Sequence, residues 1–338
     1  MKSWSELIKP SIVDWLLDFS DLGVRTLTLK LLFDLDHDHP LVSAAQSSFM
    51  HSRPIERLIE SLQRLTEGSI ELNWYKPKYR SGLWSMLLLS QLPVDPEDPR
   101  IRKISSYPIH FQRSNGAFVD AQAATSLEVD SWSSAASCLT GNVVAALIRL
   151  NKGRSEFVQQ AFFRLLELQE TDGGWLCRSW RTHARDNHSC FQGTICALDA
   201  LAEAQVLQLS SNVTTTIQRA CEFLLQHRLF RADHHQFKVI KERWLKLQFP
   251  YLVDYDILRA ARTILRLNMA DERIEDAINL IVSKQQEDGS WLLERTPSAL
   301  RINLGKRNQA NKWVTLLALH TLRLYIKGTV LTHASVTF

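Results

Sequence analysis

The chain has 338 residues, 45% of them hydrophobic and 22% charged, with a formal net charge of +4. That is globular composition, and so small and scattered an excess of Lys and Arg excludes a nucleic-acid surface, so no nucleic-acid partner is expected. No apolar run approaches the roughly 18 residues of a membrane span. Met1–Trp15 lacks the continuous apolar core of a signal peptide, so five cysteines read as reduced thiols in a cytoplasmic protein.

In chain order, residues 1–20 read as an N-terminal outer helix. Asp21–Phe33 is the first strongly apolar segment, followed by the acidic turn Asp34–Pro40. Ser81–Leu92 and Ser134–Leu150 are the second and third apolar segments. His188–Ala204, Val253–Leu267 and Asn311–Ile326 are the fourth to sixth, with residues 327–338 as a tail. Between them lie amphipathic stretches such as Glu156–Gln169, Val213–Gln226 and Glu272–Gln285. Their apolar residues recur at three- and four-residue spacing, the mark of helices with one buried face.

A repeat punctuates this series. Gln169 precedes Gly173 by four residues and Trp175 follows; Gln285, Gly289 and Trp291 repeat the pattern, and Gln112, Gly116 and Phe118 form a weaker copy. A still weaker copy lies at Leu62–Ile70. Each reads as a helix C-terminus, a glycine turn and an aromatic anchor. Six apolar helices alternating with amphipathic ones predict an all-α (α/α)6 toroid in one domain covering residues 1–338, with inner helices lining it and outer helices wrapping it. Strands are poorly supported, because period-2 alternation is nearly absent.

The Gln-xxx-Gly-x-Trp motif and the inner and outer alternation resemble the terpenoid cyclase and protein prenyltransferase superfamily, whose repeat is named for prenyltransferases and squalene oxidase. The likeness covers nearly the whole chain and implies a single barrel rather than the two of a squalene cyclase. It specifies the fold better than the activity.

In such a barrel the loops that feed the inner helices converge on one mouth. Cys138 and His188 lie near the starts of adjacent inner helices, Cys190 is two residues from His188, and Cys177 sits at the exit of the Gly-Gly-Trp turn. Together they make a candidate Cys3His zinc site, with His183 a lesser candidate. The resemblance implies part of this. Protein prenyltransferases hold zinc on an Asp-x-Cys pair and a later His, and His188 in "NHSCF" matches that His. Cys138 falls near the family's Cys, but Ala136 stands where the Asp belongs. The same residues also fit close packing at helix starts, as Cys196 and Cys221 do.

A second candidate is acid catalysis. Squalene-type cyclases protonate an alkene with an Asp-x-Asp-Asp motif, and Asp254-Tyr255-Asp256-Ile257 matches two of its three acids. Asp254 and Asp256 are therefore candidate catalytic residues, with an ordinary helix cap as the alternative. A third is a diphosphate pocket of Lys76, Lys78, Arg80, Arg178, Arg181, Arg185, Lys306 and Arg307. Trp74, Tyr79, Trp132, Trp180, Tyr255 and Trp313 supply aromatic surface for an isoprenoid or other hydrophobic small molecule, as do Trp84 and Trp244. The Asp34–Pro40 turn falls at the opposite end and reads as solvated. Two functions stay open: a prenyltransferase-like or cyclase-like protein acting on an isoprenoid, or a non-catalytic toroid with structural zinc that binds a ligand or protein partner.

Overall fold

A computed structural model describes residues 4–68, 74–120, 136–177, 186–206 and 213–334. The described chain is all-α. Its helices are α1 (Trp4–Leu7), α2 (Pro10–Leu17), α3 (Leu22–Leu31), α4 (Pro40–Met50), α5 (Arg53–Glu67), α6 (Gly82–Leu89) and α7 (Pro99–Ser106). They continue as α8 (Ser137–Arg149), α9 (Glu156–Glu167), α10 (Phe191–Val206), α11 (Val213–Gln226), α12 (Ile257–Arg266), α13 (Glu275–Ser283) and α14 (Lys312–Ala334). A two-residue hairpin pairs Arg231–Ala232 with Lys238–Val239.

The apolar segments become α3, α6, α8, α10, α12 and α14. All eight residues of α6 are buried, as expected of a helix enclosed on every side. The amphipathic helices bury a single stripe. In α5 it is Ile55, Leu58, Ile59 and Leu62; in α9 it is Val158, Ala161, Phe162 and Leu165. Both follow the i, i+3, i+4, i+7 spacing that places side chains on one helical face. Helix α6 packs on α8, α8 on α10, α10 on α12, α12 on α14, and α14 on α3. Outer helices α5, α9, α11 and α13 pack on α6, α8, α10 and α12. Helices α8 and α10 approach closely at Gly141, where an added Cβ would lie 2.6 Å from the Cys196 carbonyl group.

The repeated motif builds one joint three times. The Gln169 amide donates to the Gly173 carbonyl at 2.8 Å and to Thr216 of α11 at 2.9 Å. Gln112 donates to Gly116 at 3.0 Å and to Phe157 of α9 at 2.6 Å. Gln285 donates to Gly289 at 3.2 Å and to Leu7 of α1 at 2.7 Å. Each glutamine thus holds its own turn closed and ties it to the next outer helix. The third joint ties the end of the repeat series to the beginning of the chain.

Gly116, Gly173 and Gly289 have φ of +88°, +93° and +95°, which a side chain disfavours. The aromatic residue then locks onto the next inner helix: backbone N–H groups of Phe118, Trp175 and Trp291 donate to the hydroxyls of Thr140, Thr194 and Thr315. The indoles of Trp175 and Trp291 donate to Leu165 and Ile281 in the helix just ended.

Two expectations change at the ends. Residues 1–20 are not one helix; α1 and α2 break before Pro10, which lacks the N–H a continuous helix needs. The expected tail from 327 is helical to Ala334, as the end of α14. No described helix is long and apolar enough to cross a membrane.

Substituting Gln169 by Ala leaves the Gly173 and Thr216 carbonyls without their donor, and should cost about 1–3 kcal/mol. Gly173→Ala should cost on the order of 3 kcal/mol, because positive φ is disfavoured and the new Cβ would lie 2.4 Å from the Arg219 carbonyl oxygen. Urea unfolding of both variants checks this; an unchanged midpoint would show the joint to be dispensable.

Candidate functional site

An interior cavity of about 650 Å³ lies among the inner helices. Its lining includes Lys30 and Leu31 of α3, Arg149 of α8, Glu203 of α10 and Arg266 of α12, all late in their helices. It also reaches exposed His37, Asp95 and Glu97, so it opens between the turn after α3 and the turn after α6. The opening is therefore at the C-terminal ends of the inner helices, opposite the expected mouth. The Asp34–Pro40 turn borders it rather than standing apart: His37 lines the cavity, and Asp34 is held by Arg323 and Lys327 of α14.

Packing explains the shift. Aromatic rings crowd the N-terminal ends of the described inner helices. Trp74 stacks on Phe111 with centroids 4.3 Å apart, and Trp244 sits against Phe191 and Tyr255 at 4.6 and 4.9 Å. Tyr79 packs edge-on against Trp84. The Tyr255 hydroxyl donates to the Leu229 carbonyl at 2.6 Å. Arg80 is exposed, and its carbonyl accepts from Arg301. Only Trp313 of the aromatic candidates described here lines the large cavity, stacked on Phe249 at 4.8 Å. Trp132, Arg178 and Trp180, with Arg181, His183 and Arg185, lie outside the described residues.

The inner helices carry charges that line this cavity. Arg259 is buried and paired to Asp199 at 2.8 Å; it also donates to Asn142 and to the Asp254 carbonyl. Thr263 donates to the other Asp199 oxygen at 2.6 Å. Glu203 bridges Arg149 at 3.1 Å and Arg266 at 2.9 Å. Opposing guanidinium groups overcome the cost of burial and hold Glu203 down at about 2.

Arg262 breaks this pattern. It pairs with no described carboxylate; its Nε donates to His320 Nδ1 at 3.3 Å. Burial, reinforced by Arg266, pushes Arg262 down to about 10. Burial and then Arg262, Arg266 and Arg323 push His320 down to about 2, so His320 offers a lone pair and no charge. The buried Tyr251 hydroxyl, in the same lining, has no described hydrogen-bond partner. Helix α12 thus sets three arginines at 259, 262 and 266, on one helical face by their spacing. Charged residues inside otherwise apolar segments were the available signal: Asp199, Glu203, Arg259, Arg262, Arg266 and His320 were all readable as interruptions.

Asp256 caps α12. Its Oδ1 accepts from the Arg259 N–H at 2.7 Å and its Oδ2 from the Gln248 N–H at 2.9 Å. Burial pushes it up to about 7 against those two bonds, and it is absent from the cavity lining. Asp254 is paired with Arg295 at 3.3 Å.

The four proposed zinc ligands divide. The Cys138 N–H donates to Cys177 Sγ at 3.5 Å, and a hydrogen bond between the two thiols, with burial, pushes Cys138 well up. Burial likewise raises Cys190. These are conditions that favour thiol over thiolate. His188 turns to His227 instead, with Nε2 atoms 3.2 Å apart. Among the described residues no group of three or more His, Cys, Asp or Glu side chains is placed to hold a metal.

No protein-family model matches the chain, and no curated protein matches it. Similar solved structures include a protein from Actinoplanes, 17% identical, with 91% of this chain and 90% of that chain covered and a TM-score of 0.45. The type II terpene cyclase MstE from Scytonema is 14% identical over 82% of this chain and 100% of that one, with a TM-score of 0.30. A variant of that cyclase in complex with geranylgeranyl dihydroxybenzoate as substrate is 14% identical over 81% and 98%, with a TM-score of 0.29.

Proposed function

We propose that the chain is a one-domain (α/α)6 toroid that binds an apolar small molecule of isoprenoid type, carrying an anionic head, in the cavity that opens at the C-terminal ends of the inner helices. Arg262 carries this reading. Arg262 is half-buried in the cavity lining with no described carboxylate partner, so its guanidinium is available to an anionic group that enters. Here it meets a neutral imidazole, while Asp199 is taken by Arg259 and Glu203 is shared by Arg149 and Arg266.

The remaining wall suits an apolar body. Leu27, Phe249, Tyr251, Trp313, Leu316 and Leu317 line the cavity, and its volume lies within the ~300–1,000 Å³ of ordinary small-molecule sites. Arg presents a planar fork to a carboxylate or phosphate, and the Tyr251 hydroxyl supplies a further donor. The proposal is of binding; Asp256, capped by two backbone N–H groups away from the lining, has no part in it.

Farnesoic acid, farnesyl diphosphate and neutral farnesol, titrated calorimetrically, test the proposal. The acid should bind at least tenfold more tightly than farnesol. Arg262→Met should weaken the acid by about 10- to 100-fold, the worth of hydrogen bonds to a charged group, and leave farnesol unchanged. Equal affinity for acid and alcohol, or an Arg262→Met variant that binds like the parent, would overturn the reading.

His320 gives a pH test of the same surroundings. It stays neutral in the folded chain to about 2, whereas unfolded it takes up a proton near 6.5. Its contribution to stability is therefore complete above pH 6.5 and is lost as the pH falls below that value. Between pH 7.5 and 5 the parent should lose about 2 kcal/mol more than His320→Gln, which keeps an acceptor for Arg262. Urea unfolding at the two pH values measures the difference; identical pH slopes would contradict a buried neutral His320.

A further inference from the structure

The stretch of cavity wall that carries Phe249 and Tyr251 belongs to no helix, so its buried backbone groups need partners from elsewhere. For Tyr251 one side chain supplies both. Gln91 Oε1 accepts from the Tyr251 N–H at 2.8 Å, and Gln91 Nε2 donates to the Tyr251 carbonyl at 2.8 Å. The carboxamide thus pairs with both backbone groups of one residue, as a residue of a neighbouring strand would. Its Nε2 also donates to the Leu87 carbonyl of α6 at 2.9 Å, which fixes the Gln91 side chain against its own helix. The two residues are 160 positions apart in the chain. Among the described residues, no other hydrogen bond holds the Tyr251 backbone.

Where the two residues stand gives these bonds a further meaning. Gln91 lies in the turn after α6, which borders the cavity opening together with Asp95 and Glu97. Tyr251 lies farther in, among the arginines of α12. Its ring centroid is 5.6 Å from Arg259 Cζ, it interacts electrostatically with Arg262, and its buried hydroxyl has no described partner. One amide therefore joins the rim of the opening to the residues that would meet an anionic head.

We propose that Gln91 is a positioning residue of the larger cavity: it holds Tyr251 so that the phenol hydroxyl donates to the anionic head beside Arg262. The inference rests on the binding proposed above and adds a residue that acts through another. Binding groups must be held to within about 0.5 Å of their working positions by the shell behind them. The Tyr251 ring is stiff, so the place of its hydroxyl follows the place of its backbone, and that backbone follows Gln91.

A double-mutant cycle with farnesoic acid, followed by calorimetry, tests this. Tyr251→Phe and Gln91→Met should each weaken the acid about tenfold. The two together should weaken it no more than Tyr251→Phe alone, because both remove the same hydroxyl contact. Multiplied losses, on the order of a hundredfold in the double variant, would show that Gln91 acts on the cavity as a whole and would sink the proposal. So would a Gln91→Met or Tyr251→Phe variant that binds like the parent. Should Gln91→Met not fold, Gln91→Glu, which keeps the acceptor for the Tyr251 N–H and loses both donors, takes its place in the same cycle. Affinity that falls with Arg262→Met but not with Gln91→Met removes this inference alone. No binding by the parent, or binding indifferent to Arg262→Met, removes the anion site and this inference with it.

Discussion

The described architecture hangs on one polar joint: a glutamine side-chain amide that donates to two backbone carbonyls at once. Every outer helix that ends in a tight turn exposes carbonyl groups with no partner in its own helix. At Gln112, Gln169 and Gln285 a single NH2 group satisfies one carbonyl of the turn and one of the neighbouring outer helix. Hydrophobic burial alone is non-directional and would let such helices slide. The amide fixes their spacing, and the aromatic residue two positions after the glycine fixes depth by bonding a threonine hydroxyl of the next inner helix. Because Gln285 reaches Leu7, the same joint that sets each step also ties the last step to the first.

With the helices positioned by their ends, their interior faces are released from holding the fold together. A core filled only by leucine and valine would be more stable than one containing Arg259, Asp199, Arg149, Glu203 and Arg266, since buried ion pairs gain little over well-packed apolar side chains. Their pairing makes them tolerable: Asp199 receives Arg259 and Thr263, and Glu203 receives two guanidinium groups. Against that background Arg262 stands out as the arginine of the cluster with no described carboxylate partner, and its neutral neighbour His320 cannot supply one.

Much of the fold was legible in the sequence because its joints use residue types with few alternative roles. Gln169, Gly173 and Trp175 recur as Gln285, Gly289 and Trp291, and each copy marks the same turn. The helical stripes were legible because burial on one face forces a 3.6-residue period. The site was less legible for two physical reasons. Helix polarity locates both ends of a barrel, yet which end holds the larger described cavity depends on how side chains pack, and Trp74, Trp244, Phe191 and Tyr255 pack at the end that loop convergence pointed to. The His188 contact depended on a partner at position 227, beyond the end of α11, and no spacing along the chain announces a pairing across two helices.

The two ends of the inner helices therefore carry opposite chemistries for the same underlying reason. At the C-terminal ends, guanidinium groups project among carbonyl-rich helix termini, a setting whose negative potential favours cations, so Arg149 and Arg266 sit where they are best tolerated. Arg262, one turn earlier in α12, is farther from that help and nearer the apolar wall of Trp313 and Leu317. At the N-terminal end of α10, the positive end of a helix disfavours a further cation, and His227 is lowered chiefly by burial. His188 and His227 meet there through their Nε2 atoms, 3.2 Å apart. The excess positive charge around Arg262 is the unsatisfied valence of a chain whose remaining described charges are largely paired, and it specifies the sign of what would complete it.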